Sequence, residues 1–240
     1  MLINMRNAML SGGWKNPYIT DGLVAMWDGE WNAGPGKHDT SRNIVNLATG
    51  KAYSLDDATN SQNVTIGNNY LQVTSPCFLA IPDLAWSLDA EIPRTFEIVW
   101  TNTVQNTTTN WNRAGWVDCG FVVSMVSNVA VLCRLSRNVY RAMYSGFATT
   151  TNKIETASAV TLGVDSERRT YRNAQEISLN AHNYQSSTTQ MAFVLFSFHS
   201  LAGSTSRIYT MRGYNRALTA TEIAANYAID KARFNLPDAT

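Results

Sequence analysis

Residues 207–234 read RIYTMRGYNRALTATEIAANYAIDKARF, and this stretch decides the fold. Its first part, taken with Ser206, is a short run of β-branched and aromatic residues (206–214) that reads as a strand. Its second part, 218–234, reads as a helix. Thr219 stands three residues before Glu222. That spacing lets the hydroxyl accept from the Glu222 amide while the carboxylate reaches back to the Thr219 amide. Leu218 and Ile223 flank the box as a hydrophobic staple. Ile223, Tyr227 and Phe234 form an apolar stripe. Lys231 and Arg233 fall in the last turn, where they suit the helix dipole, and Pro237 closes the segment. A single amphipathic helix after a strand belongs on a sheet edge or on one face of a sandwich.

Upstream, strand signals come in close succession. They are GLVAMW (22–27), NNYLQVT (68–74), RTFEIVWTN (94–102), GFVVSMVS (120–127), VAVLCRLS (129–136), VYRAMYSGF (139–147), SAVTLGVD (158–165), RRTYRNAQEI (168–177) and MAFVLFSFH (191–199). In RTFEIVWTN the alternation puts Phe96, Ile98 and Trp100 on one face and Glu97 and Val99 on the other. GFVVSMVS and VAVLCRLS are separated by one Asn and suit a hairpin. Many short strands without an intervening helical period predict an all-β sandwich or barrel. Residues 1–20, rich in Met and Asn and broken at Gly12–Gly13, read as an N-terminal arm. Its Leu2, Ile3, Met5, Met9, Leu10 and Trp14 suit packing on the domain or on a second copy. Residues 21–240 form one domain.

Of the 240 residues, 45 % are hydrophobic, enough for a large core, and 15 % are charged, well below the usual quarter or so. A formal net charge of +1 supplies no field that would draw the protein to nucleic acid or an anionic membrane. Cys77, Cys119 and Cys133 show neither zinc-ribbon spacing nor an even disulfide set, and read as reduced, buried thiols. Asn4, Arg6 and Asn7 interrupt the N-terminal apolar residues, so no signal peptide is predicted. No run approaches the length of a membrane span. The expectation is synthesis in the cytoplasm, where the sequons at Asn63 and Asn106 carry no glycan.

The quoted stretch also resembles the C-terminal strand and helix of laminin-G-like, concanavalin-A-like domains. Bacterial and phage versions commonly end in a strand, then Tyr-Asn-Arg-Ala-Leu-Thr, then a short helix with Glu-Ile and Asn-Tyr. Here these are Tyr214, Asn215, Arg216, Ala217, Leu218, Thr219, Glu222, Ile223, Asn226 and Tyr227. DGLVAMWDG resembles the opening strand, with Trp27 in the core. RTFEIVWTN resembles the Phe-Thr-hydrophobic-Glu strand. RRTYRNAQEI resembles a strand and turn usually written Tyr-x-Asn-Gly, but Ala174 stands where Gly is usual, which weakens a type I′ turn. The resemblance implies a two-sheet antiparallel jelly-roll sandwich with a short C-terminal helix. It further implies a phage virion protein, a head or tail appendage that contacts other virion proteins. The fold alone fixes no function.

Enzymes on this fold commonly carry Glu-x-Asp-x-x-Glu on one strand, and no such motif is present. Glu91 and Glu97 are separated by Pro93 and Arg94, and Asp56 and Asp57 would point to opposite faces. Gly-x-Ser-x-Gly, His-Glu-x-x-His and phosphate-loop spacings are absent, and His38, His182 and His199 are scattered. The resemblance carries a calcium question. Asp28, Glu30 and Asp39 in the opening loop are candidate ligands, with Asp118 as a further loop acid, against a demand for six to eight oxygens. Carbohydrate binding asks for loop aromatics ringed by neutral hydrogen-bonding groups. Two segments qualify: Trp31 with His38 and Asp39, and the long polar stretch 101–118 with Trp111, Asn112, Arg113 and Trp116. The leading expectation is a non-catalytic carbohydrate-binding, decoration or adhesion module whose partner is a glycan or host-surface polysaccharide. A structural virion protein, oligomerising through residues 1–20 without a glycan ligand, is the second. A glycan-degrading enzyme on the same fold is the third.

Overall fold

The computed structural model describes residues 15–58, 60–74, 77–81, 94–104, 112–114, 121–126, 129–134, 141–144, 146–148, 153–162, 168–177, 180–183, 193–198 and 205–238. The architecture is all-β and antiparallel, with a large sheet, a smaller second sheet and a C-terminal helix, as the jelly-roll reading requires. The large sheet holds β1 (Leu23–Asp28), β4 (Val64–Ile66), β5 (Leu71–Thr74), β7 (Arg94–Val104), β13 (Glu155–Thr161), β14 (Arg168–Arg172), β15 (Gln175–Ile177) and β18 (Thr205–Tyr214). Its order is β15-β14-β13-β7-β18-β5-β4, and β1 also pairs with β18. The second sheet, ordered β12-β10-β9-β8, holds β8 (Asn112–Ala114), β9 (Phe121–Val126), β10 (Val129–Arg134) and β12 (Gly146–Ala148). Three two-stranded pairs complete the set: β2 (Asn43–Val45) with β3 (Ala52–Ser54), β6 (Cys77–Ile81) with β17 (Phe193–Phe198), and β11 (Arg141–Tyr144) with β16 (Asn180–Asn183).

Strand β18 organises the large sheet. Along one side it pairs with β7 for its whole length. Along the other it is shared, β5 taking Thr205–Ile208 and β1 taking Thr210–Tyr214. Where the two partners meet, the register against β7 slips by one residue, between Ile208 and Thr210. This bulge reverses the alternation. It lets Ile208 and Met211, three residues apart, face the same apolar core. That core, on the inner face, contains Ala25, Trp27, Phe96, Ile98, Trp100, Ala157 and Ala159. The expected alternation of 94–102 and the core position of Trp27 are both present. The junction is closed by Gly29, whose amide donates to the Tyr209 carbonyl (2.8 Å). A Cβ on Gly29 would sit 2.3 Å from the Tyr70 Cα, so only glycine permits this approach.

The helix, α1 (Ala220–Phe234), lies on the outer face of the large sheet and carries the expected capping box at Thr219 and Glu222. Leu218 and Ile223 are buried with Val160, Tyr171 and Tyr214, and Tyr227 and Phe234 with Val99 and Tyr209. The helix ends at Asn235 in the left-handed conformation (φ 53°), a conformation that Asn tolerates. The arm region divides at residue 15. Residues 1–14 lie outside the described part, whereas Tyr18 is buried and Ile19 packs beside Ile223.

Two local expectations need correction. The hairpin at Asn173–Ala174 is as tight as a two-residue turn can be, with Arg172 opposite Gln175 and both turn residues at positive φ (48° and 62°). Ala174 holds this conformation at a cost of about 1–2 kcal/mol. Its neighbours offset that cost. Asn173 exchanges backbone and side-chain bonds with Thr156, and the Ala174 methyl packs against the apolar clusters between α1 and the sheet. The stretch 101–118 is not one uninterrupted loop: residues up to Val104 extend β7, and Asn112–Ala114 form strand β8.

Candidate functional site

The opening loop leaves the sheet at Asp28 and is built by short-range hydrogen bonds. Asp28 accepts from the Glu30 and Trp31 amides (2.9 and 3.3 Å), an Asx turn that reverses the chain. Residues 34–37 make a turn closed by Lys37 N–H on Gly34 O, with Pro35 leading and Gly36 at φ 68°, the type II pattern. Asn32 grips Asp39 at both its amide and its carbonyl. One His38 ring nitrogen lies 3.1 Å from the Gly29 carbonyl. Residues 35–41 are thereby held out in solvent on a fixed frame.

Beneath this loop runs a buried polar network that joins it to the helix. Arg233 forks Asp28 (2.7 and 2.9 Å), reaches Glu30 (3.1 Å) and donates to the Tyr18 hydroxyl (2.7 Å). That hydroxyl donates to Asp230 (2.7 Å). Arg212 forks Asp230 (3.0 and 2.6 Å) and bonds Glu97 (2.9 Å), which also accepts from Asn226 (2.7 Å). Asn226 in turn accepts the Ile19 amide. Burial pushes the Glu97 carboxyl up, against the opposing pull of Arg212. Burial pulls the Arg212 guanidinium down, but Asp230 and Glu97 outweigh it and hold it well above the ordinary arginine range. Asp28, Glu97 and Asp230 are charge-paired and enclosed, and enclosed groups bind structure rather than substrate.

The sequence-predicted residues separate accordingly. Trp31 is not an exposed platform. It is 6 % exposed, and the Arg233 guanidinium lies 4.1 Å from its ring centre. The indole face that a sugar would stack on is occupied by a cation–π contact. His38 and Asp39 are exposed, and Asp39 accepts from the Ser41 amide and hydroxyl (2.9 and 2.6 Å), which hold its carboxyl below the usual range. Asp28 and Glu30 are committed to Arg233, and among the described residues no three His, Cys, Asp or Glu gather as a metal-holding group. Asp28 and Glu30 thus turn to Arg233 and Asp39 to Ser41. Asn112 and Arg113 lie on β8, which with β12 is one of the two edge strands of the second sheet. Trp111, Trp116 and Asp118 lie outside the described residues.

Sequence reasoning missed the network. Asn226 and Asp230 sit on the buried face of α1 between Ile223 and Phe234, so the helical period alone flags them. Polar residues on a stripe destined for burial announce partners across the interface.

No family model matches the chain, and no curated protein matches it. Solved structures do. The sialidase of Trypanosoma rangeli in complex with sialic acid superposes with a TM-score of 0.58 over 96 % of this chain at 15 % identity, and this chain covers 38 % of that one. The receptor-binding domain of botulinum neurotoxin type G gives 0.57 over 88 % at 12 % identity, covering 52 % of that chain. The binding domain of botulinum neurotoxin DC in complex with SialylT gives 0.59 over 88 % at 10 % identity, covering 52 %. The chain thus spans between about two-fifths and one-half of the proteins it resembles, and at these identities the likeness establishes a shared β-sandwich fold.

Proposed function

We propose that the chain is a carbohydrate-binding module that performs no chemistry on its ligand, serving as a decoration or adhesion element of a phage particle. The observation that carries this reading is the position of β8. It sets Asn112 and Arg113 at the edge of the second sheet, between Trp111 and Trp116 in sequence. Aromatics next in sequence to neutral and cationic hydrogen-bond donors supply the groups that a sugar-stacking site needs. The exposed His38 and Asp39 add polar contacts from the opening loop. Two facts support the placement. The large sheet's outer face is covered along β1, β7 and β18 by α1. Where side chains are described, no aromatic is fully exposed, and the aromatic candidates of this reading, Trp111 and Trp116, lie outside the described residues. The sialic acid and SialylT complexes lend the fold a precedent in sugar-binding proteins. The virion placement rests on the resemblance of the C-terminal segment.

A glycan array run with the parent protein and with Trp111→Ala tests the proposal. Binding by the parent that falls at least tenfold in the variant is expected. An empty array for the parent overturns it. That outcome favours a structural virion subunit, a reading supported by the clamping of Tyr18 and Ile19 to the helix.

A further inference from the structure

Five arginines on the described elements, Arg42, Arg172, Arg212, Arg216 and Arg233, each pair with a carboxylate. Arg207 is built differently. It lies on β18 on the outer face of the large sheet, past the C-terminal end of α1. Its Nε donates to Gln72 Oε1 (3.1 Å), directly across the ladder on β5. Its guanidinium lies 4.5 Å from the Tyr70 ring centre. Tyr70 is itself fixed. Its ring stands so close to Gly67 that a Cβ there would be 2.3 Å away, and it meets Tyr209 edge-on at 5.9 Å. Arg207 is therefore held by neutral groups and half-buried, and no carboxylate among the described residues pairs with it.

A guanidinium that is immobilised and left uncompensated is a receptor for an anion. Its planar fork matches a carboxylate in bidentate fashion, and most of the ordering entropy is already spent. The surroundings narrow the ligand. On the same face, two residues along the ladder, the hydroxyls of Thr74 and Thr205 meet at 3.1 Å. Two residues of strand are about 7 Å, a span that one sugar ring and its substituents bridge. Hydroxyls, an amide and a guanidinium beside a tyrosine suit a ring that carries both hydroxyls and a carboxylate.

We propose that Tyr70, Gln72 and Arg207, with Thr74 and Thr205, form a subsite for an acidic sugar, a sialate or a uronate, with Arg207 receiving the carboxylate. The ligand class rests on the carbohydrate-binding reading; the site does not involve the 105–120 segment.

The test is a calorimetric titration of the full chain with 3′-sialyllactose, a glucuronate-terminated disaccharide and neutral lactose. At least one acidic sugar is expected to bind at least tenfold tighter than lactose. Arg207→Met should reduce it to the lactose level. Arg207→Lys should retain part of the preference, because charge survives without the fork. Gln72→Glu places a carboxylate beside Arg207 and should abolish the preference with no loss of stability. The sialate and glucuronate arms separate the two sources of carboxylate. Acidic sugars that bind no better than lactose, or a preference that survives both Arg207→Met and Gln72→Glu, overturn the subsite. Polyglutamate that competes as well as the acidic sugar overturns it in favour of an acidic peptide. The two readings fail separately. Neutral glycans bound through Trp111 with no acidic preference leave the module standing and remove the subsite, whereas a chain that binds no sugar removes both.

Discussion

Arg212 and Arg207 sit on one strand, on one face, five residues apart, each with its guanidinium over a tyrosine: Arg212 at 4.0 Å from Tyr18, Arg207 at 4.5 Å from Tyr70. Plain alternation would put residues five apart on opposite faces. The bulge at Tyr209 places them on the same one. The helix then makes them different. Under α1, Arg212 is sealed and doubly paired with Glu97 and Asp230. Beyond α1, Arg207 keeps solvent contact and a neutral partner. The same side chain in the same stack is mortar where a helix covers it and a docking point where none does.

The sharpest break of this comparison is to delete each charge in turn. Arg212→Met leaves Glu97 and Asp230 buried without their cation, and should cost about 3–5 kcal/mol in urea unfolding. Arg207→Met should stay within about 1 kcal/mol of the parent, since it strands no buried charge. Equal losses would dissolve the distinction. The boundary between the regions can be attacked next. Gly29→Ala forces its methyl into the Tyr70 backbone and should cost about 1–3 kcal/mol. It should also raise amide exchange at residues 67–72 before it does so in α1. Exchange rising first in α1 would place the junction elsewhere. The smallest effect probes the helix alone. The Arg216 hydrogen bonds, helped by the Thr219 amide and hydroxyl, draw the Glu222 carboxyl down from 4.5 to about 2. A depressed carboxylate stabilises the fold above its unfolded pKa and loses that contribution as pH falls through its folded one. The margin of the parent over Glu222→Gln should therefore be full above pH 4.5, at about 1 kcal/mol, and vanish towards pH 2. A margin independent of pH would show that the capping box contributes through geometry alone.

How much of this was legible depended on the range of each interaction. The helix was readable because the capping box, the staple and the stripe are all local in sequence. The faces of β7 were readable because Phe96, Ile98 and Trp100 alternate without interruption. The bulge was not, because nothing in Ile-Tyr-Thr-Met signals an extra residue; it exists where β1 gives way to β5 across the strand. The Arg212–Glu97 pair spans 115 positions, beyond any local pattern. Trp31 misled for the same reason. Its loop setting, beside Gly and acids, is that of a ligand-binding indole, and only Arg233, far along the chain, takes the face. Strand β8 escaped notice because Asn112–Ala114 is too short for alternation to register.

The Tyr18 clamp also has a mechanical meaning. A pull on the chain at Lys15 is carried by Tyr18 into Asp230, from Asp230 into Arg212, and from Arg212 into Glu97. The load thus arrives at β18 and β7, in the interior of the large sheet, through a few short bonds. Tension entering at Lys15 is borne by the central strands of the large sheet and, through Arg233, by the root of the opening loop, while the Arg207 face lies outside this chain of bonds.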